Sequence, residues 1–140
     1  MRQILLFAAL ATSLALLSGC TLSKTKADTA EDMTGKAAYH KISAEEAYEM
    51  MASQEVVVVD VRTREEYDGG HIENAVLVPN ESIGSEMPAA LPDKETTLLV
   101  YCRSGRRSKD AAQKLLALGY QSVYDFGGVI DWPYELVKEG

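Results

Sequence analysis

Little in this sequence could build a scaffolded or prosthetic site. Its 140 residues hold two cysteines, two histidines and one tryptophan. Two cysteines are too few for a disulfide framework. The chain has no metal-ligand spacing, no Walker-type glycine loop, no nucleotide fingerprint and no internal repeat, so neither a metal nor a cofactor is expected. Bases are also scarce: 14 Lys and Arg face 21 Asp and Glu, a formal net charge of −7. That balance opposes binding to nucleic acid. No apolar run is long enough to span a bilayer.

What is present begins with a leader. Met1-Arg2-Gln3 is a small positive region, and Ile4 to Leu17 is an apolar segment of signal-peptide length. Leu17-Ser18-Gly19-Cys20 then resembles the bacterial lipobox, whose cysteine is acylated and becomes the first residue of the mature protein. The resemblance implies a lipoprotein signal peptide over residues 1–19 and lipidation at Cys20. It also implies an extracytoplasmic protein of the cell envelope, held at the membrane by lipid without a spanning helix. Thr21, in place of an aspartate after the cysteine, implies the periplasmic side of the outer membrane if the organism has two membranes. Cleavage removes Arg2 and no acid, so 13 bases against 21 acids give −8 over 121 residues, 140 less 19. Residues 20–38 are rich in Lys, Thr, Ala, Asp and Gly with no apolar period, and read as a flexible tether to a domain over 39–140.

The chemistry concentrates in Leu98-Leu99-Val100-Tyr101-Cys102 and the basic loop Arg103-Ser104-Gly105-Arg106-Arg107-Ser108 that follows. An apolar run closed by a turn signal reads as a buried parallel strand, and open α/β sheets place ligands at the carboxyl ends of such strands. If the backbone from Arg103 to Ser108 curls around the Cys102 sulfur, its N–H groups form an anion nest at a helix N-terminus. Such surroundings lower a cysteine from about 8.5 to roughly 3.5–7.5, which makes Cys102 a nucleophile at neutral pH. Arg103, Arg106, Arg107 and Lys109 gather around it and would focus anionic substrates on the loop. With Cys20 acylated, Cys102 has no partner for an intramolecular disulfide and no resolving cysteine. A packed strand-end cysteine beside a solvated basic turn is the plain alternative; three arginines and a glycine within five residues of it argue against that.

At these residues the sequence resembles the rhodanese-like sulfurtransferase family. The resemblance rests on the Cys102–Ser108 loop, on the block Asp60-Val61-Arg62-Thr63-Arg64-Glu65-Glu66-Tyr67-Asp68-Gly69-Gly70-His71-Ile72, and on Gly127-Gly128-Val129-Ile130-Asp131-Trp132. It implies that Cys102 accepts a sulfane sulfur from a donor such as thiosulfate or a persulfide and passes it to a thiol or cyanide. Arg103 and Arg107 would contact the oxyanion, and His71 would organise the loop that precedes a strand. A phosphate cradle in that fold needs the pattern C-x5-R, but here the sixth position after Cys102 is Ser108, so phosphatase or arsenate reductase activity is the weaker alternative. A persulfide carrier without turnover and a thiol redox sensor are the remaining rivals. A monomer is expected.

The rest of the chain supports one α/β domain with a mostly parallel central sheet flanked by helices. Tyr39 to Ile42 is a short strand, and Ser43 with Glu46 is a capping box that starts a helix with Ala47, Met50 and Met51 facing inward. Val56-Val57-Val58-Val59 reads as a strand buried on both faces. Asp60 and Arg62 at its end should pair and brace the Cys102 loop, because a buried charge needs a partner. Asn74 stands where the family usually has glycine and should take positive φ. Strands are expected at Ala75–Pro79 and Gln121–Asp125, helices at Ser82–Ala90 and after Ser108 to Gly119, and a last helix carrying Trp132.

Overall fold

The computed structural model of the chain describes residues 37–139. The predicted leader and the lipidation site Cys20 lie outside these residues. A capped first helix follows strand β1 (Ala38–Lys41): α1 (Ala44–Ser53) begins at Ser43, whose hydroxyl accepts the Glu46 N–H at 3.1 Å while the Glu46 carboxylate accepts the Ser43 N–H at 2.7 Å. Strand β2 (Val56–Asp60) leads to α2 (Arg64–Asp68), which carries a second capping box between Thr63 and Glu66. After β3 (Val76–Leu77) come β4 (Thr97–Cys102), α3 (Arg106–Ala117) and β5 (Ser122–Gly128).

The five strands are all parallel, in the order β1-β5-β4-β2-β3. Parallel neighbours need crossover connections, and the helices α1, α2 and α3 in three of them cover both faces of the sheet. Alternation along β4 divides the core. Leu98, Val100 and Cys102 face the side that holds Ala111, Ala112 and Leu115 of α3; Leu99 and Tyr101 face Ala47 of α1 and Tyr67 of α2. Burying each of the larger side chains contributes about 1.5–3 kcal/mol. Helix α3 stops in a Schellman motif, with Gly119 at φ 97 and the Tyr120 N–H reaching back to Leu115 O at 3.2 Å.

Three expectations need correction. The strand at Ala75–Pro79 shrinks to Val76–Leu77, an edge strand paired only with β2, and Pro79 cannot extend the ladder. In place of a helix over Ser82–Ala90, a 3₁₀ turn at Asn80–Ser82 runs into irregular chain with Pro88 and Pro92. The last helix reduces to a 3₁₀ turn at Val129–Asp131, and Trp132 is extended (ψ 114) because Pro133 disfavours the helical region for the residue before it. Strand β5, by contrast, continues to Gly128 rather than ending at Asp125. Asn74 does adopt positive φ, at 62°.

Candidate active site

Cys102 ends β4 and is buried, with 1% of its surface exposed. The loop after it folds back over the sulfur because β5 makes room. Val100 pairs with Asp125 but Cys102 with Gly128, so β5 carries one extra residue opposite β4, a bulge that re-aims the strand ends. A Cβ on Gly128 would overlap Arg103 O and the Ser104 Cα, so only glycine lets the loop lie there. Gly105 takes φ 102 as the N-cap of α3 and makes no side-chain cap, which leaves the first N–H groups of the helix free for another acceptor.

That acceptor is the sulfur. The Gly105 N–H donates to Cys102 Sγ at 3.0 Å. Burial pushes the thiol up, but the hydrogen bonds around the sulfur, those of the Ser108 and Gly105 backbone N–H groups foremost, outweigh it and hold Cys102 below its usual range. Ser108 itself is fully buried beneath the sulfur, 3.7 Å from Sγ, so it supports the loop and does not line the opening. Its hydroxyl lies 2.7 Å from Asp125 Oδ1. Asp125, 1% exposed, also receives the Gly127 N–H at 2.9 Å, the Tyr39 hydroxyl at 2.8 Å and the Lys41 ammonium at 3.3 Å. The sequence marks Asp125 only as the end of a strand; an acid in an otherwise apolar strand is the signal for its role here.

The arginines divide by role. Arg103 and Arg106 are exposed at the loop, as is Ser104. Arg107 is half-buried in a two-pronged bond to Glu66, Nη1 to Oε2 at 2.8 Å and Nη2 to Oε1 at 2.9 Å. The Arg107 guanidinium holds the Glu66 carboxyl down at about 2. Its Nη1–Nη2 edge is thus committed to α2, and Arg103 and Arg106 are the guanidinium groups of the loop with no ion-pair partner among the described residues. Beside Arg103 a hollow of ≈ 350 Å³ is lined by Val129, Ile130, Leu136, Glu65 and Glu66 among others, while Arg106 lines a separate hollow with Arg107, Glu81 and Asp110. Glu66 was not foreseen as a site residue, although Thr63-x-x-Glu66 is a legible capping box.

Asp60 and Arg62 form the expected buried pair, Arg62 Nη2 to Asp60 Oδ2 at 2.6 Å. The pair is tied outward on both sides: Tyr101, next to Cys102, donates its hydroxyl to Asp60 Oδ2 at 2.6 Å, and Arg62 donates to Gly70 O at 2.8 Å. Tyr101 Oη in turn accepts the Ile72 N–H at 3.1 Å. His71 stacks on Tyr67 at 3.6 Å, with Nδ1 2.9 Å from Tyr67 O, and its backbone pairs with Val137. It is bound up in the segment before β3. These groups brace the strand end from the face opposite the sulfur.

A cysteine whose thiol is held below its usual range by backbone N–H groups, at the carboxyl end of a central parallel strand, defines a site for nucleophilic group transfer through sulfur. The model of the rhodanese-like domain matches residues 43–133, and the chain belongs to that family. Among solved structures, the chain is similar to a rhodanese with anions from E. coli, at 35% identity and a TM-score of 0.54 over 59% of this chain and 98% of that one. It is similar also to a thiosulfate sulfurtransferase of Pseudomonas aeruginosa, at 27% identity and a TM-score of 0.64 over 73% of this chain and 21% of that one. The tRNA uridine(34) hydroxylase of Yersinia pestis is 31% identical over 106 residues, 72% of this chain. The chain spans only 30% of the length of that curated relative.

Proposed function

We propose that the chain is a sulfurtransferase working through a Cys102 persulfide. The thiolate attacks the outer sulfur of thiosulfate, the S–S bond to the sulfonate breaks, and sulfite leaves with the electron pair. Cyanide or an acceptor thiolate then attacks the terminal sulfur of the persulfide and restores the thiolate. With a persulfide donor, the donor's thiolate leaves in place of sulfite. The loop N–H groups would hold the sulfur while Arg103 and Arg106 face the departing oxyanion. The observation that carries this reading is the Gly105 N–H on Cys102 Sγ at 3.0 Å, within a helix N-terminus that no side chain caps. The net charge of −7 speaks against the RNA substrate named for the longer relatives.

The test is intact-mass spectrometry of the domain from Lys36 onward before and after thiosulfate, then after cyanide, beside Cys102→Ser. A gain of one sulfur on the wild type alone, discharged as thiocyanate, is expected. No sulfur from thiosulfate or from a persulfide donor would refute the reading, and peroxide-dependent gain of oxygen in its place would point to a redox sensor. We further propose export as a lipoprotein acylated at Cys20, supported by the leader and the lipobox-like Leu17–Cys20. Fatty-acid labelling of the full chain in a bacterial host should be lost in Cys20→Ala; labelling that persists would refute it.

A further inference from the structure

Cys102, Ser108 and Asp125 form one buried line, at 1%, 0% and 1% exposure. A serine hydroxyl has a single proton to give. Three oxygens compete for that of Ser108: Asp125 Oδ1 at 2.7 Å, Gly105 O at 3.0 Å and Gly127 O at 3.3 Å. The nearest is also the charged one, and charge-assisted hydrogen bonds are the stronger. The proton therefore turns to Asp125, and the lone pairs of Ser108 Oγ face Cys102. A thiol S–H can donate to those lone pairs at 3.7 Å; a thiolate finds no donor in them. Hydrogen bonding to the neutral form of a group disfavours its ionised form.

We propose that Asp125 is a positioning residue that fixes Ser108 as an acceptor toward Cys102 and thereby restrains ionisation of the nucleophile. Its charge adds to the restraint from behind the serine. The groups that face the carboxylate are Lys41 and Tyr39 of β1, Ser108 of α3 and the Gly127 N–H. Lys41, half in water, offsets the charge only in part. The Asp125 carboxylate in turn helps burial push the Tyr39 phenol up to about 12, so that hydroxyl stays a donor. On the other side of the sulfur, Arg107 and the loop N–H groups favour the thiolate. The two influences oppose each other, and their balance has chemical value. A thiolate stabilised too far is a weak nucleophile, and the best attacking thiol has a pKa near the ambient pH.

The inference deepens the proposed function and rests on Cys102 being the sulfur-accepting nucleophile, but its test needs no sulfur donor. Thiolate ultraviolet absorbance and the iodoacetamide alkylation rate would be followed against pH in wild type, Asp125→Asn and Ser108→Ala, with Cys102→Ser as the blank. In Asp125→Asn the amide oxygen can keep the Ser108 and Gly127 bonds, and the amide N–H can donate to Tyr39, so mainly charge is lost. A unit charge two hydrogen bonds away, part-neutralised by an ammonium, should lower the thiolate midpoint by about one pH unit when removed. In Ser108→Ala the midpoint should lie below that of wild type. An unchanged or higher midpoint in either variant overturns the proposal, since a serine that donates to the thiolate or does not act on it, or a carboxylate that only holds the loop together, gives those results. Should Ser108→Ala fail to fold, Asp125→Asn decides alone. A domain that takes no sulfur yet shows the predicted midpoints would refute the sulfurtransferase reading and leave this assignment standing.

Discussion

Replacing Glu66 by glutamine isolates the charge that ties α2 to the Cys102 loop. The amide can still accept the Thr63 N–H, which meets Glu66 Oε2 at 3.0 Å, so the cap is kept and the ion pair is lost. Arg107 holds the Glu66 carboxyl at about 2 against an ordinary 4.5. A carboxylate depressed on folding stabilises the folded chain fully above its unfolded value and loses that contribution as pH falls through its folded value. The window therefore runs from about 4.5 down to about 2. Taken at full weight, that difference is worth about 3 kcal/mol. Glu66 and Arg107 keep 28% and 23% of their side-chain surface in water. Solvent screening brings the expected contribution to about 1–2 kcal/mol. Urea unfolding of wild type and Glu66→Gln across this pH range is the assay. The variant should be less stable by that amount at neutral pH, and the gap should close as the wild type is acidified through the window. Equal stability at neutral pH, or a gap that ignores pH, would refute the account of Arg107 as a structural tie.

Other outcomes follow from neighbouring contacts. Alkylation of Cys102 in the wild type should show a midpoint below the ordinary thiol value of about 8.5, because the Gly105, Ser104 and Ser108 N–H groups favour the anion; a midpoint at or above it would contradict the cradle. Asp60→Asn leaves the Arg62 charge buried without its partner and should cost about 3–5 kcal/mol in urea unfolding; a cost below about 1 kcal/mol would show that the pair is not the brace described. In Gly128→Ala the new methyl collides with the Arg103 carbonyl, so the loop must shift. The variant should lose more than about 2 kcal/mol and its rapid alkylation together, measured on the same sample.

The parts of this molecule that were legible beforehand are those where one residue decides its own environment. Val56 to Val59 are apolar without alternation, as suits an interior parallel strand, and β2 does lie between β4 and β3, with Val58 and Val59 buried and Val56 and Val57 half-buried. Ser43 and Glu46 cap each other across three residues whatever else the chain does. Cys102 and the glycine of its loop likewise announce a nest. What stayed hidden depends on partners distant in sequence. Nothing near Glu66 says that Arg107, 41 positions on, will take it, and nothing near Asp125 says that Tyr39 and Ser108 will converge there. The shortening of the last helix to a 3₁₀ turn is a different case, since Pro133 after Trp132 is a local signal against a longer one.

The arrangement at the two ends of the sheet has a practical bearing on how the chain can be cut. The family match runs over 43–133, yet β1 occupies Ala38–Lys41 and the backbone pair of His71 is Val137. A fragment trimmed to the matched segment would strip the outer flank from β5 and open its ladder to pairing with another molecule. It would also take away Tyr39 and Lys41, leaving the carboxylate of Asp125 with neither its phenol nor its ammonium. At the other end it would free the His71 backbone. The smallest autonomous unit is therefore wider than the family signature, and its margins carry the groups that hold Asp125 and the His71 backbone.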